Sequence, residues 1–202
     1  MFTGIVQGAA RLVSVEPRGG ARSIVAAFPP GALSGLKTGA SVALDGVCLT
    51  AVWFEGDRAR FDVIGETLRL TTLGRRAAGD RVNFERAAAF GDEIGGHLLS
   101  GHVVGTAEIV AREDRDDQRS LTIQLPELAA PYVLPKGFVA LDGISLTVGT
   151  SVEDGRFQVH LIPETLQVTT LGVKGVGDRV NLEVDAMTRA VVDTVERVLA
   201  RR

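Results

Sequence analysis

A single cysteine, Cys48, stands in the 202 residues, so no disulfide forms within the chain and the composition fits a reducing compartment. Aromatic residues make up only 5% and the net charge is −3. A nucleic-acid-binding barrel needs exposed aromatics and a basic groove, so that class is set aside. The three histidines and the cysteine lie scattered, without metal-ligand spacing, which argues against a structural zinc site. No apolar run approaches the roughly 20 residues of a membrane helix. The first residues, MFTGIVQG, show neither a basic n-region nor a long apolar h-region, so no signal peptide is expected. These absences point to a soluble, cytoplasmic protein that binds neither nucleic acid nor membrane.

What is present is a duplication. LDGVCLT at 44–50 returns as LDGISLT at 141–147, IGETLRLTTLG at 64–74 as IPETLQVTTLG at 162–172, and GDRVNFE at 79–85 as GDRVNLE at 177–183. The residues Thr3-Gly4-Ile5-Val6 align with Ser100-Gly101-His102-Val103. Offsets of 97 to 98 residues are too long for a solenoid repeat, because each copy holds enough chain for its own core. The expected domains are 1–96 and 97–185, followed by a tail at 186–202. The join, AFGDEIGGHLLSGH, reads as a short glycine-containing connector, and His97 belongs to it.

Each copy shows short β-branched runs separated by Gly and Asp turns. In copy one the pattern predicts strands near 3–14, 23–28, 41–44, 48–54, 60–64 and 81–85, and one short helix over 68–73 with a twin at 166–171. Glu-Gly-Asp at 55–57 and Glu-Asp-Gly at 153–155 are hairpin turns. The offset moves from 97 to 98 here, so the extra residue is expected in this turn. Many short strands imply a closed or nearly closed barrel, which removes sheet edges. The tail carries Val191, Val192, Val195, Val198 and Leu199 at helical spacing. Such a helix needs a partner, either its own barrel or identical helices from other subunits.

MFTGIVQG, the pairs DGVCLT/DGISLT and GETL/PETL, and the junction GGHLLSGHV together resemble the riboflavin synthase family, alpha-chain type. The resemblance covers essentially the whole chain. Two positions depart from the usual pattern: Asp45 where many members have Asn, and Gly65 where the residue is often bulkier. The resemblance implies an all-β fold of two pseudo-symmetric six-stranded Greek-key barrels with a C-terminal helix, and a homotrimer held by those helices. It implies that two molecules of 6,7-dimethyl-8-ribityllumazine dismutate by transfer of a four-carbon unit, without cofactor or metal. One ligand sits in each barrel, and the reacting pair meets between subunits. Lumazine synthase, the shell-forming enzyme that makes the substrate, is a further partner the resemblance raises. A rival within the same fold is an antenna protein that holds lumazine or flavin without turnover. A flavin reductase barrel is excluded because no strand–GxGxxG–helix unit is present.

A flat ring with imide donors and acceptors, plus a polyol, suits backbone groups, hydroxyls and carboxylates at a barrel rim. Copy one offers Gly4, Ile5 and Val6; Cys48, Leu49 and Thr50; and Asp62, Val63, Ile64, Gly65, Glu66 and Thr67. Copy two offers Gly101, His102 and Val103; Lys136; Ser145, Leu146 and Thr147; and His160, Leu161, Ile162, Pro163, Glu164 and Thr165. Gly4 and Gly101 permit close backbone approach. Thr67 and Thr165 can equally be read as helix caps. The asymmetric positions carry the chemistry. Cys48, aligned with Ser145, is read as a nucleophile or proton-transfer group, though a lone cysteine is commonly just a small buried apolar residue. His102, aligned with Ile5, is read as the general base. Ser41 and Asp185 join the catalytic set only through the resemblance; from the residues alone they are a strand residue and a helix N-cap. Lys136 reads equally as a partner for a deprotonated ring and as a solvated turn lysine.

Overall fold

The computed structural model describes residues 1–116 and 118–201. Strands β1 (Gly8–Arg18), β2 (Ala21–Ala27), β3 (Ser41–Leu44), β4 (Val47–Glu55), β5 (Arg58–Val63) and β6 (Arg81–Arg86) close into a barrel in the order β1-β2-β5-β4-β3-β6. The alternation is plain in β5, where Ala59, Phe61 and Val63 are buried while Arg58 and Asp62 face out. β6 pairs with both β1 and β3, so the sheet has no free edge.

In the second half, β7 (Gly105–Arg115), β8 (Gln118–Gln124), β9 (Phe138–Leu141), β10 (Ile144–Thr147), β11 (Val152–Glu153), β12 (Arg156–Leu161) and β13 (Arg179–Val184) form one sheet in the order β10-β9-β13-β7-β8-β12-β11. The expected six strands become seven for a local reason. The hairpin turn has the same length in both halves, since Glu55 pairs with Arg58 and Glu153 with Arg156. The extra residue therefore lies between Thr147 and Val152, not in the turn. There the equivalent of β4 breaks into β10 and β11, and the Gly149 N–H donates to Gln158 O at 2.8 Å across the gap.

Two other expectations shift. The first strand begins at Gly8 rather than at residue 3, because a side chain captures the preceding amides. The Glu85 carboxylate accepts from Thr3 N at 2.6 Å, Thr3 Oγ1 at 2.8 Å and Gly4 N at 3.1 Å. Glu183 does the same for Ser100 N (2.8 Å), Ser100 Oγ (2.8 Å) and Gly101 N (3.1 Å). Each half thus begins with an irregular arm. The helix expected over 68–73 is α1 (Gly65–Leu70), followed by a separate 3-10 turn, Thr72–Arg75. Thr71 separates them: its hydroxyl donates to Thr67 O at 2.7 Å and accepts from Leu73 N at 3.3 Å. α2 (Pro163–Val168) ends likewise at Thr169. Thr67 and Thr165 are not caps. The N-cap positions are Ile64 and Ile162, neither with a capping side chain.

The barrels meet across a pseudo-two-fold axis. The Asp45-Gly46 and Asp142-Gly143 turns lie back to back, all four residues at positive φ. A Cβ on Gly46 would stand 2.5 Å from Gly143 N, so only glycine fits. Asn83 Nδ2 donates to Asp142 O at 3.0 Å and Asn181 Nδ2 to Asp45 O at 2.8 Å. Asn83 Oδ1 accepts from Thr170 N and Asn181 Oδ1 from Thr72 N, each at 2.7 Å. Buried Asp45 pairs with Arg76 at 2.8 Å, and buried Asp142 with Lys174. Phe2, Ala43, Leu99 and Ala140 fill the apolar part of the interface, with Cys48 at its rim.

The tail is α3 (Ala186–Leu199), capped by the Asp185 carboxylate, which accepts from Thr188 N at 2.8 Å. Its attachment to the chain is polar: Tyr132 OH donates to Asp193 Oδ1 at 2.6 Å, and the Arg189 guanidinium lies 5.8 Å from the Tyr132 ring centre. Met187, Val191, Val195, Val198 and Leu199 are all more than half exposed. Of the expected stripe only Val192 is half-buried; among the described residues the rest of it is left uncovered.

Candidate functional site

The arms cross. Gly101 O accepts from Cys48 N at 3.0 Å, and Gly4 O accepts from Ser145 N at 2.9 Å, so the arm of each half joins the other half's barrel. Phe2 and Leu99 exchange both backbone hydrogen bonds where the arms pass. Val103 packs against the first core and Val6 against the second. Gly4 and Gly101 sit at φ of 74° and 78°, and a Cβ on either would stand 2.6 or 2.5 Å from the Cβ of Ser145 or Cys48. The grouping by copy read from the sequence is therefore exchanged. Gly101, His102 and Val103 belong with Cys48 and α1, and Gly4, Ile5 and Val6 with Ser145 and α2.

The first of these composites is a cavity of about 200 Å³ lined by Cys48, Ile64, Glu66, Thr67, Gly101, His102 and Val103, among others. One wall is β4, another the start of α1, and the third the arm of the second half. Cys48 is half-buried and His102 exposed, so both are open to a ligand there. Gly65 opens α1 hard against the β1–β2 turn, where a Cβ would meet Gly20 O at 2.9 Å. In the second half the first arm meets Ser145 through Gly4, and Val6 of that arm and Leu166 of α2 pack against that half's core. Ile64, Ile162 and Ile5 are each at least half exposed, leaving an apolar rim around both.

Other sequence-predicted residues have definite places. Leu49, Val63, Leu146 and Leu161 are buried in the barrel cores and present only backbone to a ligand. Thr50 and Thr147 are exposed, as are Pro163 and Glu164, while Thr165 is half-buried. Asp62 is paired with Arg18 at 3.0 Å, and His160 Nδ1 lies 2.8 Å from Ser120 Oγ. Lys136 is exposed at φ 63°, its N–H bonded to Val148 O and Gly149 O. Ser41 is half-buried on β3 opposite Thr50 and does not line the 200 Å³ cavity; nor does Asp185. Burial would raise the Asp185 pKa, but the Thr188 hydrogen bonds hold it below the ordinary carboxylate value. One residue that the sequence left in the connector is drawn in: His97 is buried, with Nδ1 2.6 Å from Ser145 Oγ. Among the described residues no group of three or more His, Cys, Asp or Glu side chains is placed to hold a metal ion.

A family model described as the lumazine binding domain matches twice, at residues 3–87 and 100–185. The riboflavin synthase of Escherichia coli (strain K12) is 54% identical over all of this chain and 95% of its own length. That of Chlamydia pneumoniae is 49% identical over 99% and 98% of the two chains. The chain belongs to the lumazine-binding riboflavin synthase family. Among solved structures, LumP complexed with riboflavin superposes on this family member with a TM-score of 0.83 at 27% identity, covering 92% of this chain and 100% of LumP. LumP complexed with 6,7-dimethyl-8-(1'-D-ribityl) lumazine gives a TM-score of 0.81 at 26% identity, covering 91% and 99%. The two family-model matches fall on the two halves that exchange arms, so this riboflavin synthase family member carries two equivalent rims with unlike residues at their centres: Cys48 and His102 at one, Ser145 and Ile5 at the other.

Proposed function

We infer that this chain is a riboflavin synthase that converts two molecules of 6,7-dimethyl-8-ribityllumazine into riboflavin and 5-amino-6-(D-ribitylamino)uracil by transfer of a four-carbon unit. The observation that carries the reading is the pair of composite rims in one chain, equivalent in backbone and unlike in reactive groups. Two identical substrates with different fates need that combination. One lumazine accepts a nucleophile at C7, and the other loses a 7-methyl proton and attacks. Cys48 and His102, which line one cavity, are the groups for nucleophile or proton transfer there. Ser41 and Asp185 complete the catalytic set from outside that cavity. Glu66, Thr67, Glu164 and Thr165 are the polyol-facing groups. Much of the rate comes from holding two rings in apposition, which turns a bimolecular encounter into a local one.

The assembly in this reading is a cytoplasmic homotrimer in which a first barrel faces a neighbour's second barrel. The bare apolar stripe of α3 and the exposed isoleucines around each rim support it. An antenna of the LumP kind is the alternative, and the much higher identity to synthases over the full chain favours the enzyme. Rapid-mixing titration with the lumazine, its fluorescence read before turnover, tests the reading: two ligands bound per chain support it, and a single site or none would sink it.

A further inference from the structure

His97 is 7% exposed, and its ring stacks on Phe138 with centroids 5.1 Å apart and planes 16° from parallel. Its Nδ1 lies 2.6 Å from Ser145 Oγ, while Nε2 is buried with no partner among the described residues. The connector is threaded tightly to bring it there. A Cβ on Gly96 would stand 2.3 Å from Thr3 O and 2.7 Å from Ser145 Cβ, so glycine alone lets the chain pass. On its other side Ser145 meets Gly4, whose carbonyl accepts the Ser145 N–H. Cys48, the equivalent residue in the first barrel, has the matching bond to Gly101 but no side-chain hydrogen bond among the described residues. Ser41 stands where Phe138 supplies the stacking ring.

The orphan nitrogen decides the tautomer. Burial pushes the His97 pKa down, against the opposing pull of Asp185, so the ring is neutral and carries one N–H. Placed on Nε2, that hydrogen would be a buried donor without an acceptor, the costlier arrangement. Placed on Nδ1, it is donated to Ser145 Oγ. The Ser145 hydroxyl hydrogen is then turned away from the imidazole and free for another acceptor. We infer that His97 is a positioning residue that makes Ser145 a hydrogen-bond donor to a carbonyl or ring-nitrogen acceptor of the pteridine in the second rim. The inference rests on the lumazine-binding reading and deepens it. The second rim presents an oriented hydroxyl where the first presents a thiol, a weaker donor.

The test is a rapid-mixing titration of the full-length protein with 6,7-dimethyl-8-ribityllumazine, read by ligand fluorescence before turnover, in wild type and in His97→Asn, His97→Gln, His97→Ala, Ser145→Ala and the double alanine variant. Asparagine returns a nitrogen near the Nδ1 position, whereas glutamine reaches toward Nε2. The alanine and glutamine variants should weaken one of the two sites about tenfold and leave the other unchanged, as expected for one lost hydrogen bond. His97→Asn should stay within about threefold of wild type, and the double variant should be no weaker than Ser145→Ala alone. The unchanged site in the same molecule reports that the fold is intact. Equal effects of asparagine, glutamine and alanine, equal weakening of both sites, or additive effects in the double variant would each overturn the inference. A wild-type protein that binds no lumazine would overturn the underlying reading as well; a wild type with two sites that ignore His97 would overturn this inference alone.

Discussion

Replacing Asp45 with asparagine should stabilise the protein at neutral pH, although it removes an ion pair. Asp45 is fully buried at the pseudo-two-fold axis, with Asp142 facing it. Burial pushes its pKa up, and the Asp142 charge adds to this against the pull of Arg76 and Lys174, to about 6 from the ordinary 3.8. A folded value above the unfolded one means that the ionised form is the penalised one. The penalty is complete above about pH 6 and is relieved as the pH falls toward 3.8. At about 1.4 kcal/mol per pH unit, the gap corresponds to about 3 kcal/mol at pH 7.5. Asparagine keeps the shape, tolerates the positive φ of 44° and still accepts the Asn83 N–H with Oδ1, but its Nδ2 is a donor where Asp45 Oδ2 accepts from Arg76, so the guanidinium must turn away. Arg76 keeps partial solvent contact and the field of Asp142. Urea unfolding at equal chain concentration should therefore show Asp45→Asn more stable at pH 7.5, by at most about 3 kcal/mol once the lost Arg76 pair is set against the relief of the buried charge. The difference between variant and wild type should fall by about 2 kcal/mol on going from pH 7.5 to pH 4.5. A variant no more stable than wild type at pH 7.5, or a gap that ignores pH, would show that the Arg76 pair outweighs the burial of the charge.

Other perturbations have equally definite outcomes. His102→Gln should lower kcat by about 10- to 100-fold while both ligands still bind, and Cys48→Ser should act in the same direction, read by steady-state rates against titration; full turnover in both would remove them from the chemistry. Gly101→Ala puts a Cβ 2.5 Å from Cys48 Cβ at φ 78°, and should cost about 1–3 kcal/mol in thermal melting while weakening the Cys48 rim more than the Ser145 rim. Val195→Glu charges the bare stripe of α3 and should yield monomers in sedimentation with at least about a tenfold loss of turnover, since proximity between chains is lost; an unchanged mass would mean that the assembly is held elsewhere.

The duplication, the barrels and the terminal helix were legible because they rest on local chemistry: Asp-Gly turns, β-branched alternation and a helical apolar stripe recur at fixed spacing. The strand count in the second half was not, because a one-residue insertion between Thr147 and Val152 can be absorbed in a turn or can split a strand, and only pairing to Gln158 decides which. The exchange of arms was hidden for a related reason. Glu85 and Glu183 hold the arms beside their own sheets, while Gly4 and Gly101 carry their carbonyls to the opposite barrel, and no periodicity encodes that crossing. The signal that existed was the matched pair of glycines. His97 looked like a connector residue because its neighbours are Gly-Gly. Those glycines mark a close passage, and at Gly96 the obstacle is Ser145. Asn83 and Asn181 sat unremarked inside the GDRVN repeats, since a strand asparagine reveals its partner only when the second barrel is in place.

The most direct measurement is to incubate the purified protein with 6,7-dimethyl-8-ribityllumazine alone and follow the products by absorbance and chromatography. Two lumazines should disappear for each riboflavin formed, with the pyrimidine appearing in equal amount. Tight binding with no riboflavin formed would contradict it and make this chain a lumazine carrier.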